Sequence, residues 1–479
     1  QESARAAPPP WLWARGFCAQ GGPFMHLRLA HRSATLRLRA LLATRCTGPA
    51  ARTLLAPISA RGFAHSSACV LLHRRMLATT AGAEVEGAEA KRPRTAPDRP
   101  MTCRRRACGG EVGAGGARVE VSVSCGNDVP GDAKVAWENG VALAFHRDCW
   151  KAVLDNSSEL SPSERRLLSQ ASSTAERFDA ADELAEKARA AADILRRTSR
   201  AICFTGAGLS TAAGLGDYRG KRGKWTLEAQ GVDLPYTTVY EALRPTFAHQ
   251  AVAKLVEMGK LAYVVSQNAD GLHHLSGIPY TKLSDVHGSA FTEHCPGCGT
   301  RYVRDTYVPE DRAEDFFAGR LPGPIPEHIK RCRGCGSNHW TGRSCDECGK
   351  PLHDTVISFG DGLEGCVLNP AFEAAKAADA CLSLGSTMSI GPSNGVVMMQ
   401  QGPLIACVRQ ATEMDHLCTR TGGVRAFGDC DDFMRHLMAH LLGDEFEAWE
   451  ASLAAKKADY DAKRPAAGKT RGDIFAKKR

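Results

Sequence analysis

Short, uninterrupted apolar runs recur along the middle of the chain: Ala201-Ile202-Cys203-Phe204, Leu261–Val265, Cys381–Leu384 and Leu404–Val408. Runs of this length bounded by polar or glycine-rich turns read as buried strands. Between them lie Ala-rich stretches, and from about Ser161 to Thr198 the residues Leu184, Ala188, Ala191 and Leu195 recur at helical spacing, with Pro162 near the start of the first run. Strands alternating with such helices predict an α/β fold with a parallel sheet. Val141–Phe145 is a further strand-like run outside that alternation. After Gly443 the chain is charged and poor in apolar residues, ending Lys477-Lys478-Arg479, so residues 444–479 are expected to be a solvated basic tail able to meet an acidic surface.

With 479 residues, 43% hydrophobic and 24% charged, the chain is long enough for more than one domain with a sizeable core. No apolar segment is long enough to span a bilayer, and no membrane partner is expected. Residues 3–83 contain no Asp or Glu while Arg recurs, the composition of a mitochondrial or plastid transit segment. Arg61-Gly62-Phe63-Ala64-His65-Ser66-Ser67 would suit a processing site. The alternative is a leader ahead of a start at Met25, Met76 or Met101; a start at Met76 would leave Lys91-Arg92-Pro93-Arg94 as a nuclear-type basic signal. Residues 1–100 are set aside from the fold on either reading.

The cysteines sharpen the picture. A disulfide scaffold competes with a metal reading, but such scaffolds are usually short, and three C-x2-C pairs in a long chain (Cys295/Cys298, Cys332/Cys335, Cys345/Cys348) favour metal and a reducing compartment. Residues 101–155 hold Cys103, Cys108, Cys125, His146 and Cys149. His146-x2-Cys149 with Cys103 and Cys108 could close a small tetrahedral zinc site, but the C-x4-C spacing and the long gap to His146 weigh against it and towards free thiols in a loop-rich segment.

Two turns carry the candidate chemistry. Thr205-Gly206-Ala207-Gly208-Leu209-Ser210 follows a strand, where glycines let backbone amides approach a phosphate. Gln267-Asn268-Ala269-Asp270 follows another, and Asp285-Val286-His287-Gly288 adds an imidazole that can take a proton near neutrality. With Asp217-Tyr218-Arg219-Gly220, Pro245-Thr246 and His249, Phe359-Gly360-Asp361 and Gly385-Ser386-Thr387 in the same order, the chain resembles the sirtuins from about Leu195 to Leu442. Trp340-Thr341-Gly342-Arg343-Ser344-Cys345, Leu352-His353-Asp354-Thr355 and Cys430-Asp431-Asp432-Phe433-Met434-Arg435 look like the class IV, nuclear and chromatin-associated branch.

The resemblance implies a Rossmann-like parallel-sheet NAD-binding domain over residues 156–443, with a small zinc-binding module inserted at about 288–352. It implies an NAD-dependent protein-lysine deacylase that passes the acyl group to ADP-ribose and releases nicotinamide. Gly206, Ala207, Gly208, Ser210, Asp217, Tyr218, Arg219, Gln267, Asn268, Asp270, Gly385, Ser386, Thr387 and Cys430 would contact NAD. His287 would be the general base, with Asn268 and Asp270 at the nicotinamide ribose. Tyr218 would cover the reacting face, and Phe359-Gly360-Asp361 would pair with the substrate backbone. One structural zinc would sit on Cys295, Cys298, Cys345 and Cys348, with a second ion in 101–155 as the further option. Either Cys332/Cys335 or Cys345/Cys348 could complete the four-thiolate site, and the Thr-Gly-Arg-x-Cys match assigns Cys345/Cys348; Cys332/Cys335 falls in an insertion with no role assigned.

Partners implied are acylated lysine proteins, histones or other nuclear proteins among them, with chromatin or nucleic acid reached through the basic termini. Two departures stand out: Gly216 where the family usually has Pro, which frees the cofactor loop, and Val408 where it has an Asn at the adenosine ribose. A second enzyme reading, mono-ADP-ribosyl transfer, uses the same NAD site, and the two departures together with the Cys/His segment of 101–155 motivate a third, a catalytically weak, zinc-containing chromatin-binding module. His273 and His274 lack motif support and read as local structure.

Overall fold

The computed structural model describes residues 101–124, 133–220, 239–309 and 312–464, together with 223, 224 and 226. The amino-terminal leader, Cys125 and the basic terminus beyond residue 464 lie outside the described residues. Among the described residues no helix is long and apolar enough to cross a membrane.

The described chain opens with a small α/β module. A two-residue pair, β1 (Met101–Thr102) and β2 (Glu111–Val112), precedes β3 (Arg118–Val121) and β4 (Leu143–His146). Helices α1 (Arg147–Asp155) and α2 (Pro162–Thr174) follow, then β5 (Glu176–Phe178), which returns to pair with β3 in the antiparallel order β4-β3-β5. Ser161 caps α2 by accepting from Glu164 N while Glu164 reaches back, a capping box with Pro162 at the first helical position. Val119, Val121, Leu143, Phe145, Trp150, Leu167, Leu168 and Ala171 form the module's own apolar core. The module therefore runs past the boundary at 155 suggested by the cysteine spacing. The helical stretch read over 161–198 is two helices, α2 and α3 (Ala181–Arg197), divided by β5.

Strands β6 (Ala201–Thr205), β7 (Leu261–Ser266) and β8 (Leu283–Asp285) begin the main sheet, with α4 (Phe247–Glu257) between the first two. Next comes an antiparallel excursion of β9 (Thr292–His294), β10 (Arg301–Val303), β11 (Trp340–Ser344) and β12 (Pro351–Asp354), in the order β10-β9-β12-β11. The chain returns through α5 (Gly365–Lys376), β13 (Cys381–Leu384), α6 (Gly395–Met399), β14 (Leu404–Cys407), α7 (Asp415–Arg420), β15 (Val424–Ala426) and α8 (Cys430–Leu442).

All neighbours in the sheet β15-β14-β13-β6-β7-β8 are parallel. Alternate residues of β6 supply opposite faces: Ala201 and Cys203 join Leu195, Leu255 and Phe433 under α3, α4 and α8, while Ile202 and Phe204 join Ala371, Val397 and Leu417 under α5, α6 and α7. Chain order reverses between β6 and β13, the switch point where doubly wound sheets open a crevice at the carboxyl ends of their strands.

The stretch expected as a solvated tail is structured as far as Arg464. Helix α9 (Phe446–Lys463) buries Trp449, whose ring meets Phe247 edge-on at 5.5 Å, and Tyr460, whose hydroxyl accepts from Gln250 Nε2 at 2.5 Å. Two well-spaced aromatics suffice to dock a mostly charged helix, so the averaged polarity of the segment misled.

Candidate functional site

At the switch point the turn after β6 and the turn after β13 press together. Gly208 N donates to Gly385 O at 2.9 Å and Gly206 N to Leu384 O at 3.0 Å. A Cβ on Gly208 would come within 2.8 Å of Gly385 Cα, and one on Gly385 (φ +65°) within 2.2 Å of Leu209 N, so only glycines allow the approach. Four amides of this turn are spent in holding it, because Leu209 N also donates to Gly206 O and Ser210 N to Ala207 O, both at 3.0 Å.

Beside them Ser210, fully buried, organises the Gln267–Asp270 turn. Its hydroxyl donates to Asp270 Oδ2 at 2.6 Å and accepts from Asn268 Nδ2 at 3.1 Å, while Asn268 Nδ2 also donates to Gly206 O at 3.0 Å. Asp270 Oδ1 accepts from Leu272 N at 2.9 Å. Gln267 spans the crevice floor, accepting from Ser386 Oγ at 2.7 Å and donating to Ser393 Oγ at 2.9 Å. Asn268 thus anchors the glycine turn with its amide nitrogen, a structural task that adds to the ribose contact expected of it.

His287 lies just past β8, partly exposed, with Nδ1 3.0 Å from Gln267 O. A carbonyl can only accept, so Nδ1 carries the proton and Nε2 keeps its lone pair. Burial lowers this imidazole below its ordinary pKa, with the Gln267 carbonyl acting the other way. At pH 7 it is a neutral base. Gly288 follows at φ +73°, where a Cβ would run into Thr355 O, and Ile357 N donates to His287 O at 2.9 Å. The histidine is thereby tied to the segment leading to Phe359-Gly360-Asp361, on which Phe359 stands 69% exposed. His273 and His274 are local structure, as expected: His273 Nε2 meets Thr205 Oγ1 at 2.9 Å and His274 Nε2 meets Asp285 at 3.1 Å.

The far end of the crevice is lined by Gly208, Thr211, Asp217, Gly385, Val408 and Cys430, together with Arg409 and Asp429. Val408 is buried, and its carbonyl accepts from Arg425 Nη1 at 3.0 Å. Tyr218 is half-exposed above the crevice, and Arg219 Nη1 donates to Thr387 Oγ1 at 3.3 Å.

Two contributors here were not read from the sequence. Glu176, on β5 of the amino-terminal module, is 3.6 Å from Arg409. Burial, and then Glu176 beside it, push the Asp217 carboxyl up to about 6. Burial works against the Arg409 cation, but Asp429 and Glu176 more than offset it and hold its pKa above the ordinary value. Arg177 N donates to Arg409 O at 2.7 Å and Asp179 N to Phe427 O at 2.8 Å, so β5 clamps the loops that follow β14 and β15.

The other is Arg464, at the end of α9. It lies 3.6 Å over the Phe291 ring and donates to Gly271 O at 3.2 Å, one residue from Asp270. Burial lowers its pKa to about 10, with Asp270 opposing.

In the antiparallel excursion, Cys295 and Cys298 face Cys345 and Cys348. The sulfurs of Cys295 and Cys348 are 3.4 Å apart and those of Cys298 and Cys345 3.5 Å, close enough for one ion to collect four thiolates. Gly297 N points at Cys295 Sγ at 3.4 Å, a contact that supports a thiolate. The residues fit a closed tetrahedral zinc site.

The amino-terminal module gathers a second set, Cys103, Cys108, His146 and Cys149, with ligand atoms within 4.8 Å of one another. His146 Nε2 donates to Glu111 O at 2.8 Å, leaving Nδ1 to face Cys108 Sγ at 3.5 Å. That leaves the tautomer a metal would require, so these four side chains could hold an ion.

The fold and crevice define a doubly wound α/β protein with a zinc-type excursion. The Sir2 family model matches residues 234–392. The chain is 37% identical over 220 residues to the NAD-dependent protein deacetylase SRT1 of Arabidopsis thaliana, covering 46% of this chain and 42% of that protein. It is 34% identical over 282 residues to the NAD-dependent protein deacetylase sirtuin-7 of Homo sapiens, covering 55% and 62%. With the Drosophila melanogaster NAD-dependent protein deacetylase Sirt6 it shares 32% identity over 244 residues, 50% of this chain and 72% of the fly protein. The chain belongs to the Sir2 family. It spans less than two thirds of the length of the Arabidopsis and human relatives.

Proposed function

We propose that this protein is an NAD-dependent protein-lysine deacylase, acting on acetylated proteins of the nucleus. The observation that carries the reading is the convergence, at one switch point, of the glycine turn Gly206–Gly208, the Ser210–Asn268–Asp270 network and the neutral base His287. NAD, when bound, supplies an ADP-ribosyl electrophile from which nicotinamide leaves. The close-packed turn at Ala207 and Gly208 would let its diphosphate approach the backbone, and Asp217, Arg219, Ser386, Thr387 and Cys430 would frame the adenosine half. Val408 stands there in place of a polar contact, and the neighbouring Arg409, held by Asp429 and Glu176, would be the nearest cation to the adenosine half. Gln267, Asn268 and Asp270 would hold the nicotinamide ribose, with Tyr218 excluding water from the reacting face.

His287 Nε2, which has no hydrogen-bond partner among the described residues, would take the proton of a ribose hydroxyl, a task that general-base catalysis makes worth about 10²–10⁴-fold. Phe359-Gly360-Asp361 would present backbone to an extended acyl-lysine peptide. The zinc on Cys295, Cys298, Cys345 and Cys348 is structural in this reading, because four protein ligands leave it no open position. The named relatives are deacetylases, and the Sir2 match over residues 234–392 takes in Gln267–Asp270, His287 and Gly385–Thr387. The resemblance to the class IV branch supports the nuclear assignment, with histones among the substrates and the basic termini meeting chromatin.

Incubation with NAD and an acetyl-lysine peptide tests the reading by the identity of the products. Deacylation yields free lysine peptide and O-acetyl-ADP-ribose. Label transferred from NAD to protein would instead establish an ADP-ribosyltransferase, and NAD left intact would leave a binding module.

A further inference from the structure

Cys332 and Cys335 fall in the insertion to which the sequence assigned no role. Their side chains meet His339 and Asp361, and the four ligand atoms lie within 4.8 Å of one another. Cys332 Sγ is 3.0 Å from Asp361 Oδ1, Cys335 Sγ 3.5 Å from His339 Nε2, and His339 Nε2 3.7 Å from Asp361 Oδ2. We propose that Cys332, Cys335, His339 and Asp361 form a further metal centre, of the zinc type, that fixes the Phe359-Gly360-Asp361 edge.

Three independent features support it. The first is backbone. In each of Cys295-Pro296-Gly297-Cys298-Gly299, Cys332-Arg333-Gly334-Cys335-Gly336 and Cys345-Asp346-Glu347-Cys348-Gly349 the closing glycine is left-handed, at φ +80°, +73° and +69°. In each, that glycine's N–H donates to the first cysteine's carbonyl, at 2.8, 3.0 and 2.8 Å. The first cysteine's N–H in turn donates to the residue after the glycine, at 2.8, 2.6 and 2.7 Å. Gly334 N points at Cys332 Sγ at 3.3 Å, as Gly297 N points at Cys295 Sγ at 3.4 Å. The Cys332 turn thus repeats the knuckle that twice presents thiolates in the four-cysteine site.

The second feature is the imidazole. His339 Nδ1 faces Asp354 Oδ1 at 3.1 Å, and a carboxylate behind one ring nitrogen holds the other towards a metal. The third is the donor set: two sulfurs, one nitrogen and one oxygen suit a four-coordinate zinc ion and fill it, which marks the centre as structural.

The centre reaches the crevice through its fourth ligand. Asp361 Oδ2 also accepts from Ser358 N at 2.9 Å. The knuckle lies directly on the edge: a Cβ on Gly334 would stand 2.3 Å from Gly360 O, and one on Gly360 (φ +101°) 2.4 Å from Gly334 O. A filled centre would therefore set the pitch of the strand offered to the acyl-lysine peptide. This consequence rests on the deacylase reading, whereas the metal centre itself does not.

The test is metal analysis of the full chain purified with zinc, followed by activity. Native mass spectrometry should show that His339→Ala and the pair Cys332→Ser with Cys335→Ser each carry one zinc fewer than the parent, while Cys366→Ser, at an exposed cysteine outside every cluster, carries the parent number. In the folded parent, Cys332 and Cys335 should resist iodoacetamide until a strong chelator is added, a readout independent of how the variants fold. Unchanged zinc content in both variants, alkylation of Cys332 and Cys335 at the same rate with and without chelator, or a Cys332–Cys335 disulfide in the parent would overturn the proposal. If the edge follows the centre, His339→Ala should raise KM for the acetyl-peptide several-fold and leave KM for NAD alone. Loss of one zinc with no peptide effect would keep the centre and refute its coupling to the edge. Absence of turnover in the parent would count against the deacylase reading alone.

Discussion

In the proposed reaction His287 would gain its role as a base from one hydrogen bond. Because Gln267 O occupies Nδ1, the lone pair is on Nε2, and burial keeps the ring neutral. Replacing His287 with Ala should lower deacylation by about 10²-fold or more while leaving zinc content unchanged, as read by steady-state rates and metal analysis. The sign of the pH dependence follows from the lowered pKa. Protonation removes the base, so kcat/KM should be flat around pH 7 and fall only as pH drops below 6.5, the ordinary histidine value. An acid limb centred above neutrality would contradict the assigned tautomer and burial.

The residues that carry motifs were legible because glycines, carboxamides and a histidine recur at fixed places after apolar runs. Glu176, Arg409 and Arg464 were not, because each acts through a partner far away in sequence: Glu176 on Arg409, and Arg464 on Gly271 and Phe291. The further centre was half legible. Its C-x2-C-G turn is visible in the sequence, but His339 and Asp361 acquire meaning only when β12 and the Phe359 segment fold over it.

Among the elements, the interior strands of the main sheet were predicted nearly to the residue, since strands buried on both faces are continuously apolar. Short β5 and β15 escaped, three residues each and lacking such a run. Helix α9 escaped because its apolar contacts are few and widely spaced. Its docking is energetic, however. Trp449→Ala should cost about 3 kcal/mol in chemical denaturation, since it removes a ring buried against Phe247. A freely solvated tail would show no change.

Helix α4 carries an acid-sensitive group. Burial lowers His249 to about 3, so the unfolded chain binds a proton between that value and 6.5 that the native state refuses. Stability is then full above 6.5 and declines as pH falls through this window. Melting temperature should fall from pH 6.5 to pH 4, and less steeply in His249→Asn, which cannot take up that proton on unfolding.

At the scale of the whole molecule, the amino-terminal module packs against the loops that line the crevice. Its strand β5 holds the loops after β14 and β15 through Arg177 and Asp179 and sets Glu176 beside Arg409. A fragment beginning at Ala180 should therefore bind NAD several-fold more weakly than the full chain in calorimetry, with the loss at the adenosine end. Equal affinity would make the module independent of the site. The zinc-type excursion is likewise one unit, knit by Glu293, which is fully buried and accepts from Arg304, Thr341 and Arg343.

What unites these parts is the claim that the crevice between β6 and β13 spends one NAD for each acyl group it removes. The most direct measurement is nicotinamide released per lysine deacylated, followed by mass spectrometry with the full chain and an acetyl-lysine peptide. The account requires a ratio of one to one, with both products lost together in His287→Ala. Deacylation without nicotinamide, or nicotinamide release unaffected by the peptide and by His287, would contradict it.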